Sequence, residues 1–77
     1  MAKGFHDERY RKLIGQLVDR RKKLGWSQRE LAEKIGHHQQ HVSRYEIGER
    51  RLDFVEFADV AAALELEAST LIDSVRR

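Results

Sequence analysis

The sequence predicts an all-α fold, a single compact domain of five helices. Three observations predict it. No proline interrupts the 77 residues. Apolar residues recur at three- and four-residue intervals, the spacing of one helical face. Glycines at positions 25, 36 and 48 fall where those runs stop, as chain-reversing helix terminators do.

The elements follow in order. Residues 1–6 read as a flexible basic arm and 7–77 as the folded domain. From Asp7 to Leu24 the residues Tyr10, Leu13, Ile14, Leu17, Val18 and Leu24 share one face of a long first helix. Asp7 and Glu8 suit its positive N-terminus, and Arg20 to Lys23 its negative C-terminus. Ser27 is placed to cap a second helix carrying Leu31, Ala32 and Ile35 inward. Gly36 supplies the left-handed backbone that turns the chain into a third helix, whose apolar stripe is only Val42 and Tyr45. Gly48 ends that helix, and a loop is expected from Ile47 to Asp53. A fourth helix shows Phe54, Phe57, Ala58, Ala61 and Leu64, with Val60 beside the stripe. A short fifth carries Leu71, Ile72 and Val75.

Composition narrows the function. A chain this long hides only about 60% of its unfolded surface, so pairing with a second copy would help its stability. It has no cysteine, which excludes disulfides and thiol catalysis and suits a reducing cytoplasm. No apolar run approaches the length of a membrane span. Residues 1–51 hold 13 Lys and Arg against 7 Asp and Glu, while residues 52–77 hold 2 against 6. One surface therefore suits a polyanion and another suits something else.

The third helix points to that polyanion. Gln39, Gln40, His41, Ser43 and Arg44 cover its polar faces, and no carboxylate occurs from Gly36 to Tyr45. Gln and Arg present donor and acceptor pairs that match the major-groove edges of adenine and guanine. A solvated face would instead favour Glu and Lys in i,i+4 pairs. Two short helices joined by a tight turn, the second bearing this set, form a helix-turn-helix over about 27–47. The expected base contacts are Gln39, Gln40, Ser43 and Arg44. Arg29, His41, Arg50 and Arg51 are candidate phosphate contacts. Protonation of the histidines near pH ~6.5 would strengthen DNA binding. His37 and His41 lie one turn apart, but a structural zinc site wants four ligands and no cysteine is present. No metal, cofactor or enzymatic activity is expected, since no nucleophile elbow, metal motif or phosphate loop occurs.

These residues carry a family resemblance. The long first helix, Ser27-Gln28 with Glu30-Leu31-Ala32, then Gly36, Val42-Ser43-Arg44, Glu46, Gly48, Ala63-Leu64 and Leu71-Ile72 resemble the Cro/repressor-type helix-turn-helix proteins, the Xre family. The chain is similar to lambdoid phage repressor N-terminal domains and to restriction–modification controller proteins. The resemblance implies a lambda-repressor-like DNA-binding fold and a phosphate contact from Gln28. It also implies that Arg21 pairs with Glu46 to fix the angle of the reading helix. Ile47 stands where relatives often have Arg or Asn on a phosphate, a charge that Arg50 and Arg51 are expected to supply. Glu65 stands where relatives have a glycine in left-handed conformation. His38 is a weaker cap than relatives use.

The expected function is sequence-specific binding to double-stranded DNA by a homodimer acting on a palindromic operator as a transcriptional repressor. Leu66, Leu71, Ile72 and Val75 are its candidate interface residues. RNA polymerase is a candidate partner. Two alternatives remain: a DNA-binding antitoxin whose acidic half binds a toxin protein, and a protein-interaction adaptor using the same fold.

Overall fold

A computed structural model describes residues 7–76. The expected basic arm at 1–6 lies outside the described residues. The helices are α1 (Glu8–Lys23), α2 (Gln28–Ile35), α3 (Gln39–Ile47), α4 (Phe54–Ala63) and α5 (Ala68–Asp73). The described residues contain no strand. Ile47 is the last turn of α3, so the loop before α4 is one residue shorter than the spacing predicts.

Local chemistry sets the helix starts. The Asp7 side chain accepts from the backbone N–H of Arg9 and Tyr10 and caps α1. Ser27 and Glu30 form a reciprocal capping box at α2, and Asp53 and Glu56 form another at α4. Each such cap satisfies backbone donors that have no partner within the helix.

Four helix ends share one construction. Gly25, Gly36, Gly48 and Glu65 adopt positive φ, and each is followed by a residue whose N–H bonds back into the last turn. After α4, Glu65 N–H donates to Ala62 O at 3.0 Å and Leu66 N–H to Ala61 O at 2.8 Å. Glu65, at φ 61°, is the one non-glycine residue in this set. A side chain in that region costs about 1–2 kcal/mol. Its compensation is slight: Arg20 Nη2 lies 3.8 Å from Glu65 Oε1, a long pair whose glutamate is exposed, and surface pairs contribute about 0–1 kcal/mol. Strain therefore outweighs attraction. Glu65→Gly is expected to raise unfolding stability by about 0.5–1 kcal/mol, less than the full strain because glycine loosens the unfolded chain. Urea denaturation checks this; a loss of stability would show that the ion pair matters more than the backbone.

The core lies where the five helices meet. Leu17, Leu31, Val42, Tyr45 and Leu64 are fully buried, with Ile14, Ala32, Val60 and Ala61 beside them. α3 packs against α2 and α1, α4 against α2 and α5, and α5 against α1. Lys12 Nζ and Gln16 Nε2 reach from α1 to Ser74 just past α5, at 3.3 and 3.0 Å.

The apolar face of α4 differs from the expected one. Phe54 is 89% exposed and Ala58 is exposed, while Phe57, Val60, Ala61 and Leu64 point inward. The i, i+3, i+4, i+7 pattern starting at Phe57 is as regular as the one starting at Phe54. Only the position of α2 and α5 decides between them. Leu71 is 5% exposed and belongs to the core, which removes it from the candidate interface. Leu66 and Val75 are half-buried, and Ile72 is exposed.

Candidate nucleic-acid interface

α3 is held from one side only. Val42 and Tyr45 are buried against α1 and α2. At about 100° per residue, Gln39, Ser43, Ile47, Gln40 and Arg44 then fall on the opposite face. Gln39, Gln40 and Arg44 are exposed, with no hydrogen bond or ion pair to the rest of the described chain, and Ser43 is half-buried. Ile47, 61% exposed, lies within the same face, which sequence reasoning treated only as a lost charge. His38 begins the helix without a side-chain cap, as its residue type predicts.

The angle of this face is set by a buried ionic node. Arg21 of α1 grips Glu46 of α3 bidentately, Nε to Oε2 at 2.7 Å and Nη2 to Oε1 at 2.9 Å. Arg21 Nη1 also donates to Trp26 O at 2.7 Å, and Gln28 Nε2 of α2 donates to Glu46 Oε1 at 2.9 Å. Three helices therefore meet on one carboxylate. Arg21 is 8% exposed. The hydrogen bond to Glu46 raises its pKa above the ordinary value, against the opposing effect of burial. Gln28 is tied inward as a brace, leaving its second amide hydrogen and its backbone N–H for any phosphate.

The other candidate phosphate residues are already engaged. Arg29 pairs with Glu33 at 3.8 Å on the surface. Arg50 donates through Nε to His41 Nδ1 at 3.1 Å and forms an ion pair with Glu56 of α4. Arg51 lies over the Tyr10 ring, 4.7 Å from its centroid. Arg50 thus bridges α3 to α4, a role its sequence position does not disclose.

His41 faces inward, not toward solvent. Its ring stacks on His37 with centroids 4.1 Å apart and meets Tyr45 edge-on at 6.1 Å. Because Nδ1 accepts from Arg50, the proton of the neutral ring sits on Nε2, which is buried without a partner among the described residues. Burial first, then the positive charges of His37 and Arg50, push its pKa below the ordinary value; Glu56 opposes them. Protonating this histidine would remove the acceptor that holds Arg50, an effect that the expected gain in DNA binding did not include. The folded pKa lies below the unfolded one, so the unfolded chain takes up the proton first. Stability is therefore full above about pH 6.5 and falls as the pH drops through the folded value. Melting temperature measured between about pH 7.5 and pH 5 should fall less steeply for His41→Gln, whose amide keeps an acceptor. Equal slopes would remove His41 as the cause.

Tyr45 belongs to packing. It is fully buried, its hydroxyl has no partner among the described residues, and burial pushes its pKa well above the usual phenol value. Trp26 is half-buried with Lys34 Nζ over its ring at 4.5 Å. Neither ring is a free stacking platform.

A helix-turn-helix family profile matches residues 17–71, from the C-terminal part of α1 into α5. The chain belongs to the Cro/C1-type helix-turn-helix family. No curated protein matches the chain. This helix-turn-helix protein is a DNA-binding regulator by family, and its partner is double-stranded DNA. The matched span contains the whole α2–turn–α3 unit and both ends of the Arg21–Glu46 pair. Among its described residues no helix is long and apolar enough to cross a membrane.

Proposed function

We propose that the protein represses transcription as a homodimer, each copy laying α3 in the major groove of one half of a palindromic operator. The observation that carries this reading is the polar face of α3, with Gln39, Gln40 and Arg44 exposed and free of bonds to the other described residues. Long side chains left without internal partners on a helix whose angle is locked by Arg21 and Glu46 are ready to bond base edges. Gln39 and Gln40 suit adenine, Arg44 suits guanine, and Ser43 suits either. The exposed Ile47 side chain suits a thymine methyl group. Phosphate contacts would come from the free amide hydrogen of Gln28, the α2 N-terminus and Arg29. Arg50 and Arg51 would contribute charge from where they are anchored.

Dimerisation follows from information content. One short helix reads only a few base pairs, too few to find a unique site. Protomers measuring 32 × 26 × 21 Å can lie side by side on half-sites one helical turn apart, about 34 Å. Occupying such an operator excludes polymerase by bulk alone.

Selection of binding sites from a random duplex library at ~150 mM salt, where nonspecific phosphate binding is weak, tests this reading. Enrichment of a palindrome with half-sites one turn apart is the expected result. Salt-sensitive binding to any duplex without enrichment would reject it.

A further inference from the structure

We infer that Arg50 is a positioning residue that fixes the direction in which α3 presents its reading side chains, acting through His41 and Glu56; the inference rests on the base-reading role of α3 proposed above. Glu46 lies in the last turn of α3 and His41 in the first. The Arg21–Glu46 pair therefore fixes one end of the helix. The other end, which carries Gln39 and Gln40, needs a second anchor. Val42 and Tyr45 hold α3 against the core, but apolar burial is non-directional. α3 and α4 share little direct packing, and Arg50 links them.

Each member of the link is also held from its other side. Glu56 Oε1 accepts the Asp53 N–H at 3.0 Å in the capping box of α4, which leaves Oε2 for the Arg50 guanidinium. The backbone N–H of Arg50 donates to Arg44 O at 3.2 Å, so its side chain starts from the last turn of α3 and reaches back along the helix. Its Nε donates to His41 Nδ1 at 3.1 Å. The His41 ring is stacked in turn on His37, in the turn between α2 and α3. A continuous path of contacts thus runs from the cap of α4 to the turn of the reading unit, with Arg50 as its joint.

Arginine suits that joint. A planar guanidinium presents its donors in fixed directions, here one toward His41 and one toward Glu56, whereas lysine carries the same charge without the fork. Direction matters because the anchors at His41 and Glu46 lie only about 7.5 Å apart along the helix axis. A shift of about 1 Å at the first turn is then a tilt of about 8°. A glutamine feels such a tilt twice, since its two bonds to an adenine edge must align together. Beyond the charge it contributes, Arg50 therefore acts on sequence discrimination without touching a base.

Two variants of the full chain test the assignment, with urea denaturation to verify that both fold. Arg50→Lys keeps the charge and loses the fork. Glu56→Gln keeps an acceptor for the Asp53 N–H and loses the anion that orients Arg50. Each should lower the preference for the selected operator over unrelated duplex about tenfold, with the loss at the base pairs read by Gln39 and Gln40. Arg50→Lys should leave the salt dependence unchanged. A phosphate contact from Arg50 predicts the opposite for Glu56→Gln, because a released guanidinium would tighten binding to every duplex alike. Uniform tightening with preference unchanged, or an unchanged preference in Arg50→Lys, would overturn the inference. Residual dipolar couplings of α3 against α1 in the free protein need no operator, and should show α3 turned by about 8° in Arg50→Lys. An unchanged direction would overturn the inference whether or not an operator is enriched. A turned α3 with no enriched operator would uphold Arg50 as the anchor and reject the operator reading instead.

Discussion

Glu46→Ala is expected to lower the unfolding free energy by about 3–5 kcal/mol, the cost of leaving a buried charge without its partner. Arg21 is 8% exposed, and its guanidinium has no second carboxylate within reach in the described structure. The loss is large for a 77-residue domain, since the total stability of domains is only about 5–15 kcal/mol. Gln28 and Arg21 would both lose an acceptor, so the cost falls on α1, α2 and α3 together. Urea denaturation at neutral pH measures it. The double variant Arg21→Met with Glu46→Leu should lose far less, because an apolar pair of similar volume removes the desolvated charges along with their attraction. If the single variant lost under about 1 kcal/mol, the pair would be no stronger than a surface salt bridge. The double variant also separates stability from function. It should fold yet bind DNA less selectively, because the bidentate bonds that fix the angle of α3 are gone.

Arg44→Ala is expected to cost about 1–3 kcal/mol of discrimination at one base position, a five- to 150-fold change in preference. Arg44 is exposed and makes no bond to the other described residues, so fold stability should be unaffected. The loss should appear at that position in the selected operator and be small on nonspecific duplex, because a base-edge contact carries sequence information and a phosphate contact does not. Competition binding with single-base operator variants measures it. A uniform weakening across all sequences, with a shallower salt dependence, would assign Arg44 to phosphate instead. Arg29→Ala, on the outer face of α2, supplies the comparison, since its expected contact is electrostatic.

Much of the reading unit is legible because it is made locally. Ser27 meets Glu30, Gly36 closes on Glu33, and Gly48 on Tyr45, all within one helical turn. The residue types at these positions act through backbone groups three or four places away, so the chain need not be folded for them to be recognised. The Arg21–Glu46 pair spans 25 residues, and it was anticipated through family resemblance, not spacing. What the residues alone did not reveal is which charged side chains are already occupied. Arg50 and His41 are nine residues apart, and their bond depends on how the loop after α3 folds back.

The sequence by itself determined the five helices, the Ser27 cap, the glycine reversals and the polar face of α3, because each depends on periodicity or on neighbours within a turn. Only the tertiary structure decided which stripe of α4 turns inward, and that Leu71 is core while Phe54 is surface. It also decided that His41 and Arg50 brace α3 against α4. The physical reason is the same in each case. An amphipathic helix specifies that it has an apolar face, whereas burial and long-range pairing depend on what the rest of the chain brings against it.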